Sequence, residues 1–154
     1  MSPPDVWGPA VWILFHTLAE KVSDTNFNKI NVSLLNMIKL ISKNLPCPYC
    51  AEDATRFLAK ITIAKISSKQ EFKNILYLFH NYVNNKKTKP LLNFKELDNL
   101  YKHKNLSKVI INFIRKYNTK GNMQLLTESF QRQFVITEFK KWIRRHASLL
   151  KWNS

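Results

Sequence analysis

The sequence predicts an all-α fold, and two observations support this prediction. The 154 residues contain only two glycines, Gly8 and Gly121, and no Asn-Gly or Asp-Gly pair of the kind that closes β-hairpins. Apolar residues recur at steps of three and four along most of the chain, which is the helical period. Apolar residues make up 45% of the chain, so we expect a globular protein with a real core.

The first two predicted helices cover residues 5–22 and 29–43. We expect Asp5 to cap the first, because a short acidic side chain accepts well from free amide groups at a helix start. The apolar faces of the two helices contain Val11, Leu14, Phe15 and Leu18, and then Ile30, Leu34, Met37, Ile38 and Ile41.

Three further helices are predicted over residues 47–61, 69–87 and 93–103. Pro48 favours a helix start at the first of these, since its fixed φ suits the first helical turn. The second has the most regular apolar stripe, which consists of Phe72, Ile75, Leu76, Phe79 and Val83. The third is short and follows Pro90.

Charge divides the chain into two parts, residues 1–105 and residues 106–154. The first part has 15 Lys and Arg against 8 Asp and Glu, and the second has 10 against 2. The second part is predicted to form two more helices, within "LSKVIINFIRKY" and "TEFKKWIRRHASLLKW", on either side of a turn at Gly121. This basic helical extension could meet nucleic acid, acidic proteins or anionic lipid, or could present a solvated charged face.

Several functional classes are excluded by the same features. Two distant glycines cannot form a dinucleotide-binding or phosphate-binding glycine loop. No recognisable nucleic-acid-binding motif is present. "MSPPDVWGPA" lacks the pattern of a secretory leader, and "VWILFHTLAE" is too short to cross a bilayer, so we expect no membrane span.

Both cysteines of the chain, Cys47 and Cys50, lie in "LPCPYC" at a predicted helix start. This position favours thiolate over thiol, and the spacing allows a disulfide. A glutaredoxin is not expected, because CPYC in that fold follows a β-strand and here it follows a predicted helix. A zinc site is not expected either, since no histidine pair has a usual finger spacing and two thiols do not complete the ligand set. Two interpretations remain: a pair that cycles between dithiol and disulfide, and a purely structural pair.

Three segments in order resemble the Erv/ALR family of FAD-linked sulfhydryl oxidases. They are "WGPAVWILFHTLA" at 7–19, "LPCPYCAED" at 45–53 and "FHNYVNNKKTKP" at 79–90. The spacing is most similar to the compact forms of large DNA viruses, and the resemblance covers about residues 5–103. It implies a four-helix bundle with a short fifth helix, holding FAD in the mouth of the bundle.

The resemblance also implies the residues of the site. Cys47 and Cys50 would be the catalytic redox pair, with Cys47 attacked by the substrate and Cys50 next to the flavin. The implied cofactor-binding residues are Gly8, Trp12, His16, His80, Asn81, Val83, Asn84, Lys86, Lys87, Lys89 and Tyr101. No metal is implied. Leu45 and Tyr101 depart from the aromatic residue and the Trp that some relatives have at these positions.

The implied reaction is oxidation of substrate dithiols, with electrons passing through FAD to O2 and release of H2O2. Partners would be dithiol proteins or a separate thioredoxin-like CxxC carrier, because the chain has no second cysteine pair. We expect a homodimer without an intersubunit disulfide. The expected location is the cytoplasm of an infected cell and the virion, or alternatively the mitochondrial intermembrane space. The competing function is a non-catalytic basic virion or nucleic-acid-interacting protein on the same scaffold.

Overall fold

A computed structural model describes residues 4–118 and 126–153, and these residues confirm the all-α prediction. Their α-helices are α1 (Pro4–Lys21), α2 (Phe27–Lys43), α3 (Pro48–Leu58), α4 (Lys69–Lys86), α5 (Leu97–Tyr101), α6 (Leu106–Tyr117) and α7 (Leu126–His146). The predicted apolar stripes form the core: the stripes of α1 and α2 are buried, whereas Ile75 and Val83 of α4 are partly buried. No helix within the described residues is both long and apolar enough to cross a membrane.

The ends of three helices differ from the prediction. Helix α1 begins at Pro4, so Asp5 lies inside its first turn and is not the N-cap. Helix α3 ends at Leu58, and hydrogen bonds of the 3₁₀ type tighten the turns that follow it, from Lys60 N to Phe57 O and from Ile61 N to Leu58 O. The fifth predicted helix consists of a 3₁₀ turn at Phe94–Glu96 followed by α5.

Helix α4 has well-formed ends. At its start, the Ser68 hydroxyl accepts from the Glu71 amide at 3.1 Å, as in a capping box. At its end, the Lys89 amide donates to the Asn84 carbonyl at 2.8 Å and the Thr88 amide donates to the Asn85 carbonyl at 3.2 Å. This is the Schellman arrangement, in which the residue after the C-cap is left-handed. Here that residue is Thr88, with φ of 54°.

The basic extension packs against the bundle. Helix α6 lies along α1 and α7 lies against α2, while α1 also contacts α4 and α5, and α3 contacts α2 and α4. Phe113, Phe139 and Trp142 belong to the same apolar cluster as the α1 and α2 stripes. Helix α6 matches the prediction, whereas α7 begins well before "TEFKKW" and gives way to a 3₁₀ turn at Ala147–Leu149. The predicted turn at Gly121 lies outside the described residues.

Two contacts fix the extension to the ends of α1 and α2. After α7, Leu150 forms an antiparallel bridge with Val22, and the Lys151 amide donates to the Lys21 carbonyl at 2.9 Å. From α6, the buried Tyr117 hydroxyl lies 3.0 Å from the carbonyls of Ile41 and Asn44 and donates to them. Tyr117 therefore holds the end of α2, from which the chain continues directly to the cysteines.

Thr88→Gly is expected to raise the free energy of unfolding by about 1 kcal/mol. A left-handed conformation costs a residue with a Cβ about 1–2 kcal/mol, and the added flexibility of glycine in the unfolded chain offsets part of this gain. Urea denaturation measures the difference. Thr88→Ala is the control, because alanine keeps the Cβ and should bring little gain. Equal stabilities of the glycine and alanine variants would contradict the account.

Candidate functional site

The two cysteines form a disulfide at the start of α3, with Cα atoms 5.2 Å apart. Cys47 is the N-cap of α3, and its Sγ accepts from the Cys50 amide at 3.3 Å. Cys47 is fully buried, at 0% exposure, whereas Cys50 is partly exposed. The two sulfurs therefore have different surroundings.

Cys50 lies in the wall of a cavity of about 300 Å³, which we call the inner cavity. The cavity lies between α1, the end of α2, α3 and α4. Its walls are largely apolar, and five of the residues that line it are aromatic: Trp7, Trp12, Phe15, Tyr49 and Phe79. A concave apolar site with a few polar groups is the usual form of a binding site for an organic ligand.

A second cavity of about 320 Å³, the lysine cavity, lies beside the first. Four residues line both cavities: Gly8, Trp12, Val83 and Lys87. The lysine cavity is also lined by His80, Asn84, Lys89 and Tyr101. One ligand could therefore extend from the aromatic walls to the cationic ones.

Four stacked rings connect α1, α4 and α5 beside these cavities. The rings of Trp12 and His80 are 4.0 Å apart and nearly parallel at 7°, and those of His16 and Tyr101 are 4.6 Å apart at 14°. Between the two pairs, His16 Nε2 and His80 Nδ1 are 2.9 Å apart. One of these nitrogens donates and the other accepts, so the hydrogen bond requires the two rings to be in complementary tautomers.

Burial keeps both histidines neutral. Burial, together with a smaller effect of the nearby His80, lowers the pKa of His16 to about 3. Burial, together with a smaller effect of the positive charge of Lys89, lowers the pKa of His80 to about 4. Both values lie below the usual histidine pKa of about 6.5, so the pair is uncharged near neutral pH.

The lysines near the cavities differ in their partners. Lys86 pairs with Asp53 of α3 at 3.1 Å, and Asp53 also contacts Arg56 at 3.3 Å. Lys87 forms no salt bridge among the described residues, and its pKa is lowered first by burial and then by the neighbouring Lys89. Lys87 and Lys89 are therefore available to an anionic ligand, whereas Lys86 is already partly neutralised.

The residues present fit FAD on three counts. The aromatic walls suit a flat ring system, and the lysine cavity supplies cations for a pyrophosphate. Ser42 lines the inner cavity, and its buried hydroxyl has no hydrogen-bond partner in the described part of the chain. A Cβ added at Gly8 would meet no protein atom within 4 Å, so protein packing does not require a glycine there. No group of three or more His, Cys, Asp or Glu in residues 4–118 and 126–153 is placed to hold a metal ion.

Most of the predicted site residues lie at the cavities, with three exceptions. Cys47 is fully buried and lines neither cavity. His16 lies behind His80 and lines neither cavity, so it positions the ring in front of it. Asn81 also lines neither cavity. Its side chain accepts from the Leu92 amide at 2.7 Å and donates to the Leu92 carbonyl at 3.4 Å, which fixes the loop after α4.

Several residues that line the inner cavity were not among the predicted site residues. These are Trp7, Val11, Phe15, Ser42, Leu45, Tyr49, Asp53, Ala54 and Phe79. Phe15 and Phe79 belong to apolar stripes, and a stripe does not distinguish a cavity wall from the core. Trp7 and Tyr49 lie inside the quoted motifs, directly before Gly8 and Cys50. Their place in the cavity wall could therefore have been predicted from the sequence.

Comparison with known proteins agrees with this geometry. Residues 9–105 match the model of the Erv1 / Alr family. The chain belongs to the Erv1/Alr family. The sequence-based prediction of this family and of its all-α fold is therefore confirmed.

Curated relatives come from viruses and from a plant. The chain is 28% identical over 103 residues to the FAD-linked sulfhydryl oxidase of African swine fever virus (isolate Tick/Malawi/Lil 20-1/1983), covering 67% of this chain and 86% of that protein. It is 30% identical over 95 residues to that of isolate Warthog/Namibia/Wart80/1980, covering 62% and 79%. It is 32% identical over 84 residues to the FAD-linked sulfhydryl oxidase ERV1 of Oryza sativa subsp. japonica, covering 54% and 43%. No solved structure matches the chain significantly.

The two buried histidines predict that the protein without cofactor loses stability as the pH falls below 6.5. The unfolded chain binds protons on both rings there, whereas the folded chain does not until the pH approaches their lowered pKa values of about 3 and about 4. Each histidine contributes up to about 1.4 kcal/mol per pH unit to this slope. Urea denaturation between pH 7 and pH 5 measures it (roughly the upper part of the titration window).

The double variant His16→Gln/His80→Gln should have a flatter pH dependence than the wild type. His103→Gln, which removes an exposed histidine, is the matched control for the substitution itself. Equal slopes in all three proteins would show that the His16–His80 pair does not titrate on unfolding.

Proposed function

We propose that Cys47 and Cys50 are the redox pair of a FAD-dependent sulfhydryl oxidase, and that Cys50 delivers the electrons of a substrate dithiol to FAD bound in the inner and lysine cavities. The observation that carries this proposal is the position of Cys50 in the wall of the aromatic cavity, with its disulfide partner at the N-cap of the same helix.

The general activity follows from the family and the names of its members. The chain is a FAD-dependent sulfhydryl oxidase, which converts paired thiols to disulfides and uses O2 as the electron acceptor. The sequence-based predictions of the enzyme class and of FAD are confirmed. No feature of the described residues favours the non-catalytic alternative.

The proposed chemistry begins with attack of a substrate thiolate on the Sγ of Cys47. A substrate–Cys47 disulfide forms, and the Cys47–Cys50 bond breaks to leave a thiolate on Cys50. The second substrate thiol then attacks the substrate sulfur of the mixed disulfide, which releases Cys47 and completes the substrate disulfide. The substrate has lost two electrons and two protons, and the pair Cys47–Cys50 is reduced.

The start of α3 supports both displacements. Cys47 is the N-cap and Cys50 lies in the first turn, where free amide groups and the helix dipole stabilise negative charge on sulfur. The Cys50 amide already points at Cys47 Sγ, at 3.3 Å. A thiolate is therefore a better leaving group on either cysteine than it would be in mid-helix.

In the proposed complex, the aromatic residues and Ser42 would hold the ring system, while Lys87 and Lys89 would hold the phosphates. Bound FAD would supply the acceptor for the electron pair of the reduced cysteines, with O2 as the final acceptor and H2O2 as the product. The hydrogen-bonded pair His16–His80 keeps the Trp12 and His80 rings in place as a rigid wall.

Substrate access is the remaining geometric requirement. Cys47 is fully buried in the disulfide form, so a thiolate reaches it only after a local displacement of the residues around it. Pro46 beside it is also buried, whereas Pro48 and Tyr49 are exposed. We propose that a docked polypeptide causes this displacement and that a small thiol does so poorly.

Partners and location are also part of the proposal. The substrates are dithiol polypeptides or a separate CxxC carrier, and the setting is an infected cell, in line with the viral relatives. A homodimer without an intersubunit disulfide stays a prediction. Because α6 covers α1 and α7 covers α2, such a dimer would use other faces of these helices. Nucleic-acid binding by the basic extension is also still a prediction.

The visible absorption spectrum of the purified protein tests the proposal most directly. We expect a flavin spectrum that bleaches when a dithiol is added without oxygen and returns when air is admitted. A protein that cannot be reconstituted with FAD would contradict the proposal.

Cys50→Ser is expected to abolish dithiol-dependent oxygen consumption and to retain the flavin spectrum. Serine preserves the shape of the cavity wall but cannot form the disulfide. Cys47→Ser should behave alike in turnover. An oxygen electrode measures the rate, and the spectrum shows that FAD is still bound. Undiminished turnover by Cys50→Ser would refute the assigned roles.

Lys87→Gln is expected to weaken FAD binding roughly tenfold, because a charge-assisted hydrogen bond is worth about 1.5–3 kcal/mol when buried and less when partly exposed. Quenching of flavin fluorescence on binding measures the affinity. Lys60→Gln removes an exposed lysine far from both cavities and serves as the matched control. Equal affinities of the two variants would place the phosphates elsewhere.

A further inference from the structure

A groove of about 530 Å³ lies on the opposite face of α3 from the inner cavity. Cys50, Asp53 and Ala54 of α3 line the inner cavity, whereas Ala51, Thr55 and Ala59 line the groove. We call it the α3–α7 groove, because its other side is formed by α7. Leu45 lines both the groove and the inner cavity, so the turn that carries the cysteines separates the two.

The side chain of Arg132 on α7 lines this groove in an unusual state. It is 2% exposed, and its Nε is buried with no hydrogen-bond partner in the described part of the chain. It forms no salt bridge among the described residues. An unpaired buried cation is costly, and such a group is stabilised when a ligand supplies the missing anion.

The other charges of the groove leave Arg132 without compensation. Glu52 is held by Arg56 at 2.9 Å, and Lys43 adds another cation to the rim. Glu128, one turn before Arg132 on α7, lines the groove but lies beyond salt-bridge distance of any described cation. The chain as a whole carries a formal charge of +15, which attracts acidic partners.

We propose that the α3–α7 groove docks an acidic polypeptide segment of the dithiol substrate, with a substrate carboxylate on Arg132. This inference rests on the proposed function, because the groove lies next to the disulfide that the substrate is proposed to reduce. Leu45 and Pro48 line the groove on either side of Cys47 in the sequence. A segment bound there places its own cysteines at the turn that buries Cys47, and it contacts the residues that must move to expose this sulfur.

The proposal also assigns a role to the basic extension. Glu128, Gln131 and Arg132 belong to α7, which lies beyond the residues 9–105 that match the family. The extension therefore completes a substrate groove that the matched part of the chain only half forms.

Binding of a redox-inert peptide tests the groove apart from the chemistry. The probe is a short fluorescent peptide with a Ser-x-x-Ser centre flanked by glutamates, and its partner probe has glutamines in their place. We expect the full-length protein to bind the glutamate peptide about tenfold or more tightly than the glutamine peptide, measured by fluorescence anisotropy. Equal affinities for the two peptides would overturn the proposal without any variant being made.

Arg132→Gln should lose most of this preference for glutamate. Arg144→Gln, which removes an exposed arginine from the same helix, should retain it and serves as the control for net charge. Equal losses in the two variants would assign the binding to general electrostatic attraction and overturn the site. An oligonucleotide that binds the wild type more tightly than the glutamate peptide, and loses this binding in Arg132→Gln but not in Arg144→Gln, would assign the groove to phosphate instead and would also overturn the proposal.

Kinetics then connect the groove with turnover. With the corresponding Cys-x-x-Cys peptide, kcat/KM relative to that for dithiothreitol should fall about tenfold in Arg132→Gln and stay constant in Arg144→Gln. An unchanged ratio in Arg132→Gln would overturn the docking role. Failure of the proposed function is distinct, because then no dithiol is oxidised by the wild type while the peptide-binding measurement still reports on the groove.

Discussion

The hydrogen bond between His16 and His80 is the interaction on which the arrangement of rings beside the two cavities depends. It joins α1 to α4 across 64 residues of sequence, inside a stack that also includes Trp12 and Tyr101. Because both rings are buried, burial favours their neutral forms. The same contact therefore joins the helices and fixes the wall shared by the two cavities.

The redox turn depends on a second set of contacts, which come from the other end of the chain. Tyr117 of α6 donates to carbonyls at the end of α2, and α7 lies against α2 beside the groove. The disulfide is thus held between a cavity suited to FAD and a groove suited to polypeptide. Leu45 lines both the inner cavity and the groove, so its side chain lies between them. The basic extension acts in this arrangement as part of the enzyme's architecture and not as an appended tail.

The sequence allowed the helices and the family to be predicted, and most of the predicted site residues lie at the two cavities, for identifiable reasons. Periodic stripes such as that of α4 report burial directly, and the two cysteines at a helix start report redox chemistry. The left-handed turn at Thr88 was not predictable, because threonine is a poor residue for that conformation. Two backbone hydrogen bonds to the last turn of α4 accompany it. Arg132 was not predictable either, since an arginine in an amphipathic helix usually indicates a solvated face. Asn81 was assigned to the cofactor, although its side chain holds the loop at Leu92, because the motif places it between two cavity residues.

The complete burial of Cys47 affects which thiols can reduce the Cys47–Cys50 disulfide. A disulfide open to solvent would be reduced by small monothiols such as glutathione. Each such reduction would consume the enzyme's disulfide without forming a disulfide in a protein substrate. In the proposed mechanism, the burial of Cys47 slows its reaction with monothiols, because a thiolate reaches this sulfur only after the residues around it are displaced. In this mechanism, the buried position of Cys47 favours selectivity for polypeptide dithiols over a high rate with small thiols.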